Sequence, residues 1–177
     1  MVRHCSPHVK DALKKIKVVA MDVDGVLTDG RIIMDSNGVE TKNFDVQDGF
    51  GIVFLKKCGL KTAIISARES GVVAHRAKDL KIDKFWVGVY PKLSAYESML
   101  KEFNVQDEEV CFIGDDLADI GIMHRCGVGI AVANAVFEVK QIADHITVRP
   151  GGRGAVREAI ELILQAQGQW GPQLYEK

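Results

Sequence analysis

The 177-residue chain predicts an α/β fold, a Rossmann-like parallel sheet with helices on both faces. Three observations lead there. Short apolar runs alternate with amphipathic segments along the chain. The run that opens at Ile16 and ends at Met21 has the length and β-branched content of a buried strand, and Val110 to Ile113 repeats the pattern. Both runs stop on carboxylates, and ligands of open α/β sheets bind at the carboxyl ends of strands.

After the first strand, Arg31 to Met34 and Val39 to Phe44 form a polar β pattern around Asp35-Ser36-Asn37-Gly38. Asn-Gly between alternating residues signals a hairpin. This insert, about residues 30–44, should project beside Asp22. Asp48 to Lys57 reads as a short helix, Lys61 to Ser66 as the second core strand, Ser70 to Leu80 as a helix and Phe85 to Val87 as a strand. Lys92 to Phe103 carries Leu93, Tyr96, Met99, Leu100 and Phe103 at helical spacing. Val110 to Ile113 is the next strand and Leu117 to Arg125 the next helix. Val128 to Val132 and His145 to Val148 read as edge strands around a helix from Val136 to Ala143. Ala155 to Gln167 is a last helix with Val156, Ile160, Ile163 and Leu164 on its apolar face. Gly151 to Gly154 reads as a hinge, and about 169–177 as a flexible tail.

There is no internal repeat and no linker, and the length is that of one ordinary domain, so residues 1–177 read as one domain. Apolar content of 47% and charged content of 27% are globular values. A net charge of −1 gives no reason to expect nucleic acid or an anionic membrane as a partner. No apolar stretch approaches the roughly 20 residues of a membrane span, and Lys10, Asp11, Lys14 and Lys15 break up the amino terminus as a signal core. Cys5, Cys58, Cys111 and Cys126 lack close metal-binding spacing, which suits reduced thiols in a cytoplasmic protein.

Asp22 and Asp24 lie on one side of an extended chain, and two acids held together repel unless a cation or a shared proton compensates. A lone Asp-x-Asp-Gly is usually just an acidic turn. Here Asp115, Asp116 and Asp119 form a second cluster after another strand, and the two together suit one hard cation held by oxygen, Mg²⁺. Ser66 ends a third apolar run and Lys92 follows a fourth. Alone, Ser66 would be a helix cap and Lys92 a solvated lysine; their order within the set gives them weight.

In these motifs, Asp22-Val23-Asp24-Gly25-Val26-Leu27-Thr28, Ser66, Lys92 and Gly114-Asp115-Asp116-Leu117-Ala118-Asp119, the chain resembles the haloacid dehalogenase-like phosphatases. Asp29-Gly30, Asp48-Gly49-Phe50-Gly51-Ile52, Arg68 and Gly151-Gly152-Arg153-Gly154-Ala155-Val156-Arg157-Glu158 extend the resemblance to their capless branch, the 3-deoxy-D-manno-octulosonate 8-phosphate (KDO 8-phosphate) phosphatases.

The resemblance implies a nucleophile at Asp22, a general acid and base at Asp24, and phosphoryl contacts from Ser66 and Lys92. Asp22, Asp115 and the backbone carbonyl of Asp24 would hold Mg²⁺, supported by Asp116 and Asp119. Substrate contacts would come from Asp24, Lys92, Arg68, Arg76 and the segment Asp45, Val46, Gln47, Asp48 and Gly49. The implied partner is an acidic sugar phosphate in lipopolysaccharide precursor synthesis, and the implied assembly a homotetramer whose neighbours supply the missing walls. Gln47 and Val53 stand where several members carry arginine, which leaves the nine-carbon KDN 9-phosphate open as substrate. Other readings are a phospho-receiver module, a non-catalytic subunit and a phosphomutase. The receiver keeps its acceptor Asp apart from the acid pair, the second would have lost a motif acid, and the third needs a cap against water.

Overall fold

The computed structural model describes residues 6–174 and 176. A short helix α1 (Pro7–Leu13) leads into strand β1 (Val18–Met21) and then a hairpin of β2 (Ile33–Met34) and β3 (Glu40–Thr41). Helices and strands then alternate: α2 (Val46–Lys57), β4 (Lys61–Ile65), α3 (Gly71–Asp79), β5 (Lys84–Trp86), α4 (Leu93–Phe103) and β6 (Val110–Gly114). The second half continues with α5 (Ile120–Met123), β7 (Val128–Ala131), α6 (Phe137–Ile142), β8 (His145–Ile146) and α7 (Ala155–Ala166). Six strands make one sheet in the order β5-β4-β1-β6-β7-β8, parallel at every pairing, as the alternating pattern predicts.

β1 lies at the centre, with Val18 beside Lys61 on one side and Val110 on the other. All four of its residues are buried, because helices cover both faces; hence an apolar run without alternation. On one side α7 packs against both α1 and α2, and α4, α5 and α6 form a second layer. Tyr96, Phe112, Leu13 and Met21 are among the largest fully buried side chains. From β1 the chain moves outward to β4 and β5, then crosses back to β6 and continues to β8. The direction reverses between β1 and β6, so the ligand crevice of such a sheet falls at their carboxyl ends. The ladder runs one residue past β1, where Asp22 N donates to Ile113 O at 3.0 Å.

Several elements differ from expectation, each for a local reason. Sequence reading missed α1, whose seven residues bury only Val9 and Leu13 beneath a Ser6 cap. α2 starts earlier, at Val46, because the Asp45 carboxylate caps it by accepting from Gln47 N at 2.6 Å. The expected Leu117–Arg125 helix splits into a 3₁₀ turn over Leu117–Asp119 and the short α5, since the Asp119 carboxylate is used by the turn itself. β7 is paired on both sides, and the edges of the six-stranded sheet are β5 and β8. The hairpin turn uses Asp35 rather than a two-residue Asn-Gly loop: its carboxylate accepts from Asn37 N at 2.9 Å and Val39 N at 2.8 Å.

The Gly151–Gly154 segment is a brace instead of a hinge. A Cβ on Gly151 would stand 1.7 Å from Gly25 O, and Gly152 N donates to Val26 O at 2.9 Å. Only glycine allows this contact with the loop after β1. The tail also departs from expectation over residues 169–174. The Trp170 ring meets Phe54 edge-on at 5.7 Å, with the Arg157 guanidinium 4.9 Å from its centre, and Leu174 is buried. Tyr175 and Lys177 lie outside the described residues. Truncation after Gln167 is therefore expected to lower stability by about 1–3 kcal/mol, on the scale of a lost aromatic contact and its burial. An unchanged midpoint in urea would contradict that packing.

No helix among the described residues is long and apolar enough to cross a membrane.

Candidate active site

Past β1 the backbone folds into a tight loop. Val23 O accepts from Val26, Leu27 and Thr28 N, and Thr28 Oγ1 accepts from Gly30 N at 3.2 Å. Gly25 has φ +91, and a Cβ there would lie 2.0 Å from Asp115 Oδ2, so the loop carrying Asp24 closes against the end of β6 only because this residue lacks a side chain. Asn134 joins this loop to the brace: its Nδ2 donates to Gly25 O at 3.0 Å and its Oδ1 accepts from Gly151 N at 2.6 Å.

The expected acids converge. Asp22, Asp115 and Asp119 each place a carboxylate oxygen within 4.8 Å of the others. Asp119 is fully buried and already engaged, accepting from Asp115 N at 2.9 Å and from Lys92 Nζ at 2.7 Å. Lys92, buried at the start of α4, also stands 2.9 Å from Asp22 Oδ1, near enough for an ion pair but out of hydrogen-bond alignment. Asp22 Oδ1 and Asp115 Oδ1 are thus buried without a hydrogen-bond donor.

One lysine does not balance three carboxylates. Burial, and then the Asp119 charge, push the Asp22 carboxyl up to about 7 against the pull of Lys92. Burial, then Asp22 and Asp119, push Asp115 up to about 8. Burial works against the Lys92 charge, yet Asp22 and Asp119 outweigh it and raise its pKa. Two hard carboxylate oxygens, on Asp22 and Asp115, with no hydrogen-bond donor and crowded against Asp119 are the donor set that a small divalent cation satisfies. The residues fit Mg²⁺.

Ser66 is buried at the end of β4, with its Oγ donating to Arg68 O at 3.5 Å. Arg68 reaches the other flank of the pocket, Nε 3.6 Å from Asp24 Oδ2 and Nη2 donating to Glu40 Oε1 at 2.8 Å. Lys42 contacts Asp24 Oδ1 from the hairpin. Sequence reading missed Glu40, Lys42 and Asn134. A signal existed for the first two: residues two apart in an extended chain share a face, and Glu40 on β3 and Lys42 just past its end are such a pair.

Other candidates make contacts outside the acid cluster or stand exposed. Arg76 spends its guanidinium on Asp79 at 2.6 Å and on the face of Phe44 at 5.5 Å, close over Gly49, and joins none of the acids at the strand ends. Asp48 caps α7, accepting from Arg157 N at 2.7 Å and Gly154 N at 3.3 Å; its burial pushes its pKa up to about 6. Gln47 Oε1 accepts from Arg149 at 2.9 Å, and Val46 is exposed. Asp116 caps the 3₁₀ turn after β6 by accepting from Leu117 N at 2.7 Å.

A central strand ending in Asp-x-Asp, a buried lysine and a second acid cluster across a topological switch define a haloacid dehalogenase-like hydrolase. The family described by that name matches residues 89–160. A 3-deoxy-D-manno-octulosonate 8-phosphate phosphatase from Haemophilus influenzae is 41% identical over 161 residues, 91% of this chain and 89% of its own. The solved Moraxella catarrhalis phosphatase of that name, in complex with magnesium, phosphate and KDO, superposes with a TM-score of 0.90 at 44% identity, covering 92% of this chain and 94% of that one. The cobalt-bound Haemophilus influenzae phosphatase gives a TM-score of 0.90 at 40% identity over 94% and 99%. The chain belongs to the 3-deoxy-D-manno-octulosonate 8-phosphate phosphatase family of the haloacid dehalogenase-like hydrolases.

Proposed function

We propose that this protein hydrolyses KDO 8-phosphate to KDO and phosphate with Mg²⁺, a step in making lipopolysaccharide precursor. The observation that carries the reading is the pair of orphaned carboxylate oxygens on Asp22 and Asp115 beside Lys92, in a chain 41% identical to a phosphatase of this name. Asp22 attacks phosphorus: an Asp22–phosphorus bond forms while the bond from phosphorus to the sugar oxygen breaks. Asp24 gives its proton to the departing oxygen. Water then attacks the aspartyl phosphate, Asp24 takes a proton from that water, and release of phosphate restores Asp22. Lys92 and Ser66 donate to the phosphoryl oxygens, over which charge spreads in the transition state. Asp22, Asp115 and the Asp24 carbonyl would hold the cation, which when bound offsets the repulsion between carboxylate and phosphate.

Arg68 suits the sugar's carboxylate or its phosphate, since a planar guanidinium pairs with either through two donors. Arg68→Ala is expected to lower kcat/KM for KDO 8-phosphate about 100-fold, the scale of a lost charged contact, and a plain aryl phosphate much less. Equal losses on the two would show that Arg68 does not read the sugar. A panel of sugar phosphates scored by free phosphate tests the substrate itself. KDO 8-phosphate is expected to lead; preference for KDN 9-phosphate or a hexose phosphate would overturn that choice.

The assembly we infer is a homotetramer acting in the cytoplasm. Ile32, Ile33, Met34 and Val39 are exposed on a hairpin that pairs only with itself. An isolated two-stranded hairpin is marginal in water, so packing of hairpins around a symmetry axis would stabilise it. Cys58, Cys111 and Cys126 are unpaired, which suits a reducing compartment. Sedimentation is expected to give four copies; an active monomer would refute the assembly.

A further inference from the structure

Lys42 is the most enclosed charge on the hairpin side of the pocket, with its side chain 1% exposed. A buried ammonium needs anionic partners, and Lys42 has two. Its Nζ contacts Asp24 Oδ1 and lies 3.3 Å from Glu40 Oε1. Glu40 is held in turn by Arg68 Nη2 at 2.8 Å and by the Ser70 hydroxyl. The second oxygen of Asp24 is treated differently. Arg68 Nε stands 3.6 Å from Oδ2, beyond hydrogen-bond range. Among the described residues, Lys42 is the single hydrogen-bond donor to the Asp24 carboxylate. One oxygen is therefore fixed and the other left open.

That asymmetry is what a proton-transfer group needs. A carboxylate free to swing among its rotamers spends little time facing the reacting oxygen, and small misplacements are costly in rate. We propose that Lys42 is a positioning residue, anchoring Asp24 through Oδ1 so that Oδ2 faces the scissile sugar oxygen and then the attacking water, with Glu40 holding Lys42 in place. The inference rests on Asp24 as proton donor and acceptor, as set out above. It also gives the thin, exposed hairpin a task in the chemistry, since Glu40 on β3 and Lys42 just past its end reach the pocket together, 3.3 Å apart.

The test compares leaving groups. The sugar alkoxide of KDO 8-phosphate needs a proton to depart, whereas the phenolate of 4-nitrophenyl phosphate does not. Lys42→Met, confirmed folded by thermal melting, is expected to lower kcat/KM on KDO 8-phosphate, which reports only the steps through departure of the leaving group, by about 100-fold, the lower end of a general-acid contribution. Its loss on the aryl phosphate should be roughly tenfold smaller or less. Asp24→Asn should show the same split, and adding Lys42→Met to Asp24→Asn should cost nothing further on the sugar phosphate. Should Lys42→Met not fold, Lys42→Gln, which keeps a donor for the two carboxylates, runs the same comparison and should split in the same direction. If Asp24→Asn shows no split, the reading of Asp24 fails whatever Lys42 does. If Asp24→Asn splits while the folded Lys42 variant loses equally on both substrates or on neither, the positioning role is overturned. Losses that multiply in the double variant overturn it too.

Discussion

Asp22→Asn is expected to abolish turnover, with kcat falling by at least about 10⁴-fold, while the protein stays folded. An amide cannot form the bond to phosphorus, and loss of a covalent nucleophile removes the route that divides one hard displacement into two. Stability should hold or rise slightly. Asp22 is buried with an orphaned oxygen, and an uncharged amide relieves its repulsion with Asp119 and Asp115. Phosphate release assayed beside a thermal melt checks both halves. A folded Asp22→Asn protein with near-normal turnover would remove Asp22 from the chemistry.

Metal removal should have an effect of similar size. Chelation is expected to stop turnover, and Mg²⁺ to restore it. Ca²⁺ should restore it poorly, because it prefers more ligands and longer bonds. Asp115→Ala should raise the Mg²⁺ requirement by roughly 100-fold or remove activity, since one of the two available carboxylate oxygens is gone. The pH dependence has a definite sign. Without metal the Asp22 and Asp115 carboxyls are pushed up to about 7 and about 8, so below those values protons occupy the oxygens that the cation needs. Mg²⁺ binding should release protons, and its affinity should strengthen as pH rises towards about 8. The metal-free protein should lose stability over the same rise, because each carboxyl holds its proton more tightly folded than unfolded. Isothermal titration in buffers of different ionisation enthalpy reads the proton release. Affinity independent of pH would contradict the cluster as the cation site.

Much of the sheet was legible because its strands are buried on both faces. Val18-Val19-Ala20-Met21 and Val110-Cys111-Phe112-Ile113 show continuous apolar character, and each stops where the sheet meets the ligand crevice. The convergence of Asp22, Asp115, Asp119 and Lys92 was legible for the same reason, since each sits on or just past a recognisable strand or helix end. What was hidden depends on contacts distant in sequence. Gly151 looks like any flexible glycine until the carbonyl of Gly25 is found against it. Asp48 looks like a substrate acid until the amides at the start of α7, more than 100 residues on, are found to use it. Trp170 looked free to leave because nothing local shows that Phe54 and Arg157 receive it. Lys42 was not singled out within the polar hairpin pattern, because the carboxylates that enclose its side chain, on Asp24 and Glu40, come together only in the fold.

The central claim is that phosphate passes through Asp22, and the most direct test is to catch it there. Asp24→Asn protein, mixed with 4-nitrophenyl phosphate and Mg²⁺ and quenched in acid, keeps the nucleophile but lacks the group that activates water for the second step. Peptide mapping by mass spectrometry should then find phosphate on Asp22 in a large fraction of the molecules, labile to hydroxylamine as an acyl phosphate is. Steady release of phosphate with no covalent phosphate detectable, or phosphate carried on any other residue, would contradict the account.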